Sequence, residues 1–222
     1  MKASLKIGEV FGIPVRLHLT LLLIVAFIAW SVGSNLFQIA DLIGVDPTGI
    51  SPGLQSYIIG LILAVGLFFS VFVHEIAHSL TARSYGVKIE EISLWIFGGV
   101  SSMEEMPREP SLEMRISAVG PLTSLGLGAI CYLIGFVFRQ GAFEFTLKYL
   151  GIVNFILAGF NFIPAFPMDG GRILRAFFAR SEPYVSATNK AADIGKAFAI
   201  AIGITGFFFN PFLIIIAFFV YM

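Results

Sequence analysis

An apolar run from Tyr57 to Tyr85 is long enough to cross a bilayer as a helix, yet it carries ionisable groups. About 20 apolar residues span the hydrocarbon core, and titratable side chains at that depth are costly and usually functional. His74, Glu75 and His78 form the pattern His-Glu-x-x-His within this run. Residues four apart share one helical face, so both imidazoles reach one metal ion while Glu75 projects beside it as a candidate general base. The run therefore predicts a membrane helix that carries a hydrolytic metal site.

Composition places the whole chain in the membrane class. Of its 222 residues, 57% are hydrophobic and 13% are charged, against roughly 25% charged in soluble domains. The net charge is zero and no dense basic cluster occurs, which excludes nucleic acid as a partner. Cys131 is the only cysteine, so no disulfide forms within the chain. The lipid bilayer is the expected environment.

Hydropathy predicts an all-α polytopic membrane protein with about six transmembrane helices. Their approximate limits are Leu17 to Phe37, Tyr57 to Tyr85, Arg115 to Phe138, Phe145 to Pro164, Lys190 to Phe207, and Asn210 to Met222. The segment from Gly206 to Pro211 is either a turn between two spans or a kink within one. We expect a single membrane-embedded domain over residues 1–222, with a catalytic core at about 57–175 and flanking helices at 17–37 and 190–222.

The distribution of Lys and Arg predicts the orientation. Three basic groups fall on one side of the membrane if the spans alternate: Lys2, Lys6 and Arg16; Arg83, Lys88, Arg108 and Arg115; and Arg172, Arg175 and Arg180. Basic residues of short loops concentrate on the cytoplasmic side. We therefore expect an integral protein of the cell membrane whose metal site opens toward the cytoplasm.

The segment between the second and third spans has strand character. Residues 87–97 are rich in β-branched and aromatic side chains, and Gly98-Gly99 precedes a further short run to Met103. A small β-hairpin or membrane-dipping element is expected here. Non-helical backbone at membrane depth must line protein or a water-filled cavity, so the segment would line the active-site entrance; a surface hairpin without a catalytic part fits the composition equally well.

A catalytic zinc needs a third protein ligand, and three side chains come into question. His18 begins the first span and is as easily an interfacial histidine. Glu144 falls on the opposite side of the membrane. Asp169 ends a segment in which Pro164 and Pro167 interrupt the helix near the depth of His78. The residues alone leave open whether Asp169 binds metal or serves as the N-cap of a short helix.

These segments together resemble the site-2 proteases, the intramembrane zinc metalloproteases of regulated intramembrane proteolysis, in their compact archaeal and bacterial branch. The resemblance extends over about Leu61 to Arg175 and rests on four segments in order: His74 to His78, Phe97-Gly98-Gly99, Ala118 to Leu122, and Asn161 to Arg172. The flanking spans match only in number and length.

The resemblance implies one catalytic Zn²⁺ held by His74, His78 and Asp169, with Glu75 as the catalytic base. It also implies that Asn161 lies near the metal and that Phe97-Gly98-Gly99 belongs to a β-element beside the substrate path. The Asn161 amide is then either an oxyanion donor or an interhelical hydrogen bond.

The implied substrate is a transmembrane helix of another membrane protein. Such a helix hides its carbonyls in i to i−4 hydrogen bonds, so it must unwind before attack. Two other functions remain open: a membrane zinc-binding or transport protein, and a membrane metallopeptidase of another family, which would use Glu as the third ligand. Nothing in the sequence predicts an oligomeric state.

Overall fold

The structure is a computed structural model that describes residues 4–96, 98–103, 108–139 and 141–221. Phe97, part of the predicted β-element, lies outside the described residues. The elements in chain order are β1 (Ser4–Val10), β2 (Ile13–His18), α1 (Thr20–Ser34), α2 (Leu36–Leu42), α3 (Leu54–Ser84), β3 (Ile89–Trp95), β4 (Gly98–Met103), α4 (Pro110–Val137), α5 (Gly141–Asn161), α6 (Asp169–Phe178), α7 (Tyr184–Phe209) and α8 (Phe212–Tyr221).

Within the described residues, four helices are long and apolar enough to cross a membrane: α3, α4, α5 and α7. The pair α1 and α2 makes a fifth span if the two are counted as one, although they meet at a bend of 72°. The expected count of about six is therefore not confirmed by the described residues. Helix α8 has only 10 residues, half of what a full crossing needs, and a break at Asn210 and Pro211 separates it from α7.

The first predicted span, Leu17 to Phe37, differs most from the structure. Its opening residues belong to β2, and helix α1 starts at Thr20 and stops at Ser34. The Asn35 amide donates to the Ser31 carbonyl at 2.8 Å. An asparagine that bonds the last turn in this way competes with continuation of the helix, which accounts for the bend before α2.

A four-stranded sheet in the order β1-β2-β3-β4 replaces the isolated hairpin that the sequence predicted. Strands β1 and β2 are antiparallel, joined through Phe11 and Gly12 at positive φ. Strand β2 runs parallel to β3, with Val15 opposite Ile92. Strand β4 turns back antiparallel to β3 and forms an edge of the sheet.

The chain divides into two compact units, of which the first contains Met1–Glu104 and Leu122–Leu157. Helices α1 and α3 pack closely there, since a Cβ added at Gly60 would clash with the Ala29 carbonyl oxygen. A cluster of Leu21, Phe68, Val71 and Leu94 joins α1, α3 and β3. The sheet is thereby fixed against the half of α3 that leads into the His-Glu-x-x-His pattern.

The second unit contains Glu105–Pro121 and Ala158–Met222. Its core cluster of Ala165, Met168, Ala199 and Val220 joins the segment before α6 to α7 and α8. Helix α6 is the short element that presents Asp169 at its start.

Candidate metal centre

His74 and His78 lie one turn apart on α3, and both are buried. Their Nε2 atoms are 3.1 Å apart, and their rings are inclined at 77° with centroids 4.7 Å apart. Two nitrogens at the usual zinc distance in a tetrahedral site would be about 3.3 Å apart. The two imidazoles therefore already have the spacing that one zinc ion requires.

Ser124 of α4 orients the first of these histidines. Its buried hydroxyl lies 3.0 Å from His74 Nδ1. The contact fixes the orientation of the ring, and when Nδ1 donates to this oxygen, Nε2 carries the lone pair that binds a metal.

Glu75 is half-buried beside strand β4. The Ser101 hydroxyl donates to Glu75 Oε2 at 2.7 Å, and the Ser79 hydroxyl in turn donates to Ser101 at 3.1 Å. A Cβ added at Gly99 would lie 2.5 Å from Glu75 Cγ and 3.1 Å from Val71. Only a glycine lets β4 pass this close, so the strand confines the candidate base to one position.

Asp169 is the first residue of α6, with Met168 in the N-cap position. The interpretation of Asp169 as the N-cap is therefore wrong, although an aspartate in the first turn still suits the helix dipole. The two glycines that follow seat the helix on the preceding loop. A Cβ at Gly170 would clash with the Ile163 carbonyl oxygen, and one at Gly171 would lie 2.6 Å from the Ala165 carbonyl carbon.

Three of the described residues offer a ligand atom for a metal ion, namely His74 and His78 in the first unit and Asp169 in the second. His18 is outside the group; its Nδ1 lies 2.9 Å from the Thr20 hydroxyl at the start of α1. Glu144 is also outside, and it pairs with Lys148 at 2.6 Å.

Sequence reasoning missed the contacts of Ser124 and Ser101. Ser124 was noticeable only as one of the small residues Gly120, Ser124 and Gly128, spaced one turn apart. These small residues do not all pack against one neighbouring helix, because Gly128 packs against Gly151 and Phe155 of α5 whereas Ser124 contacts α3. No sequence signal singles out Ser101.

A His-Glu-x-x-His pattern on an apolar helix long enough to cross a membrane is typical of the class of membrane metallopeptidases. The family model of peptidase family M50 matches residues 62–144 and 137–203. The chain belongs to this family.

Relatives and a solved structure agree with this membership. The chain is 38% identical, over its whole length, to a zinc metalloprotease of Methanocaldococcus jannaschii, of which it covers 59%. It is 32% identical over 93% of its length to Rip3 of Mycobacterium tuberculosis, of which it covers 53%. The chain thus spans little more than half of these two relatives. A solved structure of a site-2 protease from Methanocaldococcus jannaschii superposes with a TM-score of 0.65 at 34% identity, covering 98% of this chain and 92% of that one.

Proposed function

We propose that the chain is an intramembrane zinc metalloprotease that hydrolyses peptide bonds within transmembrane segments of other membrane proteins. The main support for this proposal is the position of Glu75, whose carboxylate lies beside two buried imidazoles on an apolar helix and accepts a hydrogen bond from Ser101. A site that only stored or transported metal would need no such acid. We further propose that residues 1–222 work as one membrane-embedded protease domain.

The proposed zinc ligands are His74, His78 and Asp169. Two neutral imidazoles and one carboxylate are a usual donor set of catalytic zinc and leave the fourth position open. The 3.1 Å spacing of the imidazole nitrogens and the metal-binding chemistry of all three side chains support this set.

When bound, zinc supplies Lewis-acid polarisation of the scissile carbonyl and of water. Glu75 then acts as the general base: it accepts the proton of the attacking water and passes it to the departing nitrogen. The Ser101 hydroxyl, which donates to Oε2, holds the carboxylate in place and leaves Oε1 for the proton. Asn161, the last residue of α5, is the proposed donor to the developing oxyanion.

The proposed substrate is a transmembrane helix that unwinds locally. Strand β4 is an edge strand of the sheet and touches Glu75 through Gly99 and Ser101. An unwound segment could pair with this edge and bring its carbonyls to the base. Substrates should therefore carry helix-weakening residues near the cleavage site.

We place the protein in the cell membrane with the site open to the cytoplasm. Arg83 in the last turn of α3 and the other basic loops support this orientation. A cysteine introduced at exposed Tyr85 in a Cys131→Ala background should react with impermeant thiol reagents from the cytoplasmic side only. Labelling from the outer side would reverse the orientation.

Glu75→Gln tests the proposed function. The variant should retain one zinc per chain and lose cleavage of a transmembrane peptide in liposomes, because the amide cannot accept the proton. Glu90→Gln makes the same chemical change at an exposed position of β3 and is the matched control. Full activity of Glu75→Gln would refute the protease assignment.

Asp169→Asn tests the ligand set. The loss of one anionic ligand should lower zinc retention against a chelator, whereas Asp193→Asn, at an exposed carboxylate of α7, should not. Unchanged retention in Asp169→Asn would remove Asp169 from the metal.

A further inference from the structure

A buried ion pair in the second unit connects α6 with the start of α4. Arg175 donates through Nε to Glu113 Oε1 at 2.9 Å, and its Nη2 donates to the same oxygen. The Glu113 side chain is fully buried, and that of Arg175 is 17% exposed. Glu113 Oε2 has no hydrogen-bond partner in the described part of the chain, so the carboxylate depends on Arg175 for its charge compensation.

Two aromatic rings lie against the Arg175 guanidinium. Its central carbon lies 5.1 Å from the ring centre of Phe166 and 4.9 Å from that of Tyr184. The Tyr184 hydroxyl also points to Glu113 Oε1 at 3.5 Å. Phe166 belongs to the loop before α6, and Tyr184 begins α7. The planar guanidinium thus contacts three segments at once: the start of α4, the loop before α6 and the start of α7. A lysine ammonium, which is not planar, cannot replace it in this role.

The opposite end of α6 is attached differently. Gly170 and Gly171 rest on the backbone of residues 162–166, where even a methyl group would clash. Helix α6 has ten residues and is therefore held near both ends. Two attachments fix the direction and the rotation of a short helix, and with them the direction in which Asp169 leaves its first turn.

Stability does not explain this pair. Burying two charges costs desolvation, and apolar replacements of buried pairs are often neutral or stabilising. A planar, two-donor contact instead specifies geometry. We propose that Arg175, anchored by Glu113 and flanked by the rings of Phe166 and Tyr184, is a positioning residue that orients the Asp169 carboxylate for metal binding. This inference rests on the proposed role of Asp169 as a zinc ligand.

The test uses two variants. Arg175→Lys keeps the positive charge but loses the planar guanidinium. The double variant Glu113→Gln with Arg175→Gln removes both buried charges. Three readouts are taken on purified full-length protein: zinc loss to a chelator, the visible absorption spectrum of the cobalt-loaded protein, and the melting temperature of the metal-free protein. We expect a roughly 10- to 100-fold loss of zinc affinity, as for other residues that orient a ligand, and a changed cobalt spectrum in both variants.

Lys148→Gln with Glu144→Gln is the matched control, because it removes a second buried ion pair in a helix of the other unit. Whatever its effect on the melting temperature, it should leave the zinc affinity and the cobalt spectrum unchanged. If the Arg175 variants behave like this control, the positioning role is refuted.

Asp169→Asn separates this inference from the proposed ligand set. Because Arg175 acts through Asp169, adding Arg175→Lys to Asp169→Asn should lower zinc affinity no further. A fully additive effect would show that Arg175 acts elsewhere. An unchanged zinc affinity in Asp169→Asn alone overturns the ligand set, whereas a loss there with none in the Arg175 variants overturns only the positioning role.

Discussion

Gly99→Ala is the sharpest probe of how β4 holds the candidate base. The added Cβ would lie 2.5 Å from Glu75 Cγ, whereas ordinary contacts begin at 3.4 Å, so one of the two groups must move by 0.9 Å, the difference between these distances. The Glu75 side chain yields before the β4 backbone, which is paired with β3. A misplacement of about 1 Å in a reacting group can cost about 10²-fold in rate. We therefore expect kcat to fall by about two orders of magnitude.

Stability should change far less than activity in this variant. Overpacking of this kind costs about 1 to 3 kcal/mol when it is not relieved, and rotation of the Glu75 side chain relieves much of it. The assay combines kcat and KM on a transmembrane peptide with zinc content and melting temperature. Gly8→Ala is the control, since a Cβ at this strand glycine meets nothing within 4 Å. A folded Gly99→Ala enzyme with undiminished kcat would refute the reasoning that β4 confines Glu75.

Two further predictions separate positioning from packing. Ser124→Ala removes the hydroxyl at His74 Nδ1 and should weaken zinc binding by about 10- to 100-fold. The control is Ser117→Ala, at a buried hydroxyl of α4 without a partner among the described residues, which should leave zinc binding unchanged. Equal zinc affinities in the two variants would contradict the proposal that Ser124 orients His74. Asn161→Ala should lower kcat by about 10² to 10³ at unchanged zinc content. Asn154→Ala, which breaks a 3.0 Å bond to Ser70, should instead lower the melting temperature, and normal turnover in Asn161→Ala would remove Asn161 from the mechanism.

The parts that sequence could predict are those encoded locally. Helix α3 runs from Leu54 to Ser84, close to the predicted Tyr57 to Tyr85, because an unbroken apolar run defines its own length. The spacing of His74 and His78 follows directly from the helical period, so their juxtaposition needs no tertiary information. A polar side chain at membrane depth, such as that of Asn154, also predicts an interhelical hydrogen bond, and Asn154 of α5 donates to the Ser70 hydroxyl of α3 at 3.0 Å.

The parts that sequence could not predict depend on distant partners. Strands β1 and β2 were overlooked because the partner of β2 is β3, far along the chain, and β1 is largely exposed with no alternating pattern. Ser101 and Ser124 look like ordinary small polar residues until the fold brings them to Glu75 and His74. Helix α7 starts at Tyr184, before the predicted Lys190, because hydropathy does not detect polar first turns, whereas the break after it lies within the predicted Gly206 to Pro211.

The parallel pairing of β2 with β3 also constrains the order in which the protein can be assembled. Three helices, α1, α2 and α3, lie between the two strands in the chain, so β2 leaves the ribosome long before its partner exists. Until β3 follows, the hairpin of β1 and β2 has an unpaired inner edge, which invites wrong strand pairing. The final positioning of β4 over Glu75 therefore comes after insertion of α3, and a nascent chain that stops before residue 98 would carry His74, Glu75 and His78 without the strand that packs against Glu75.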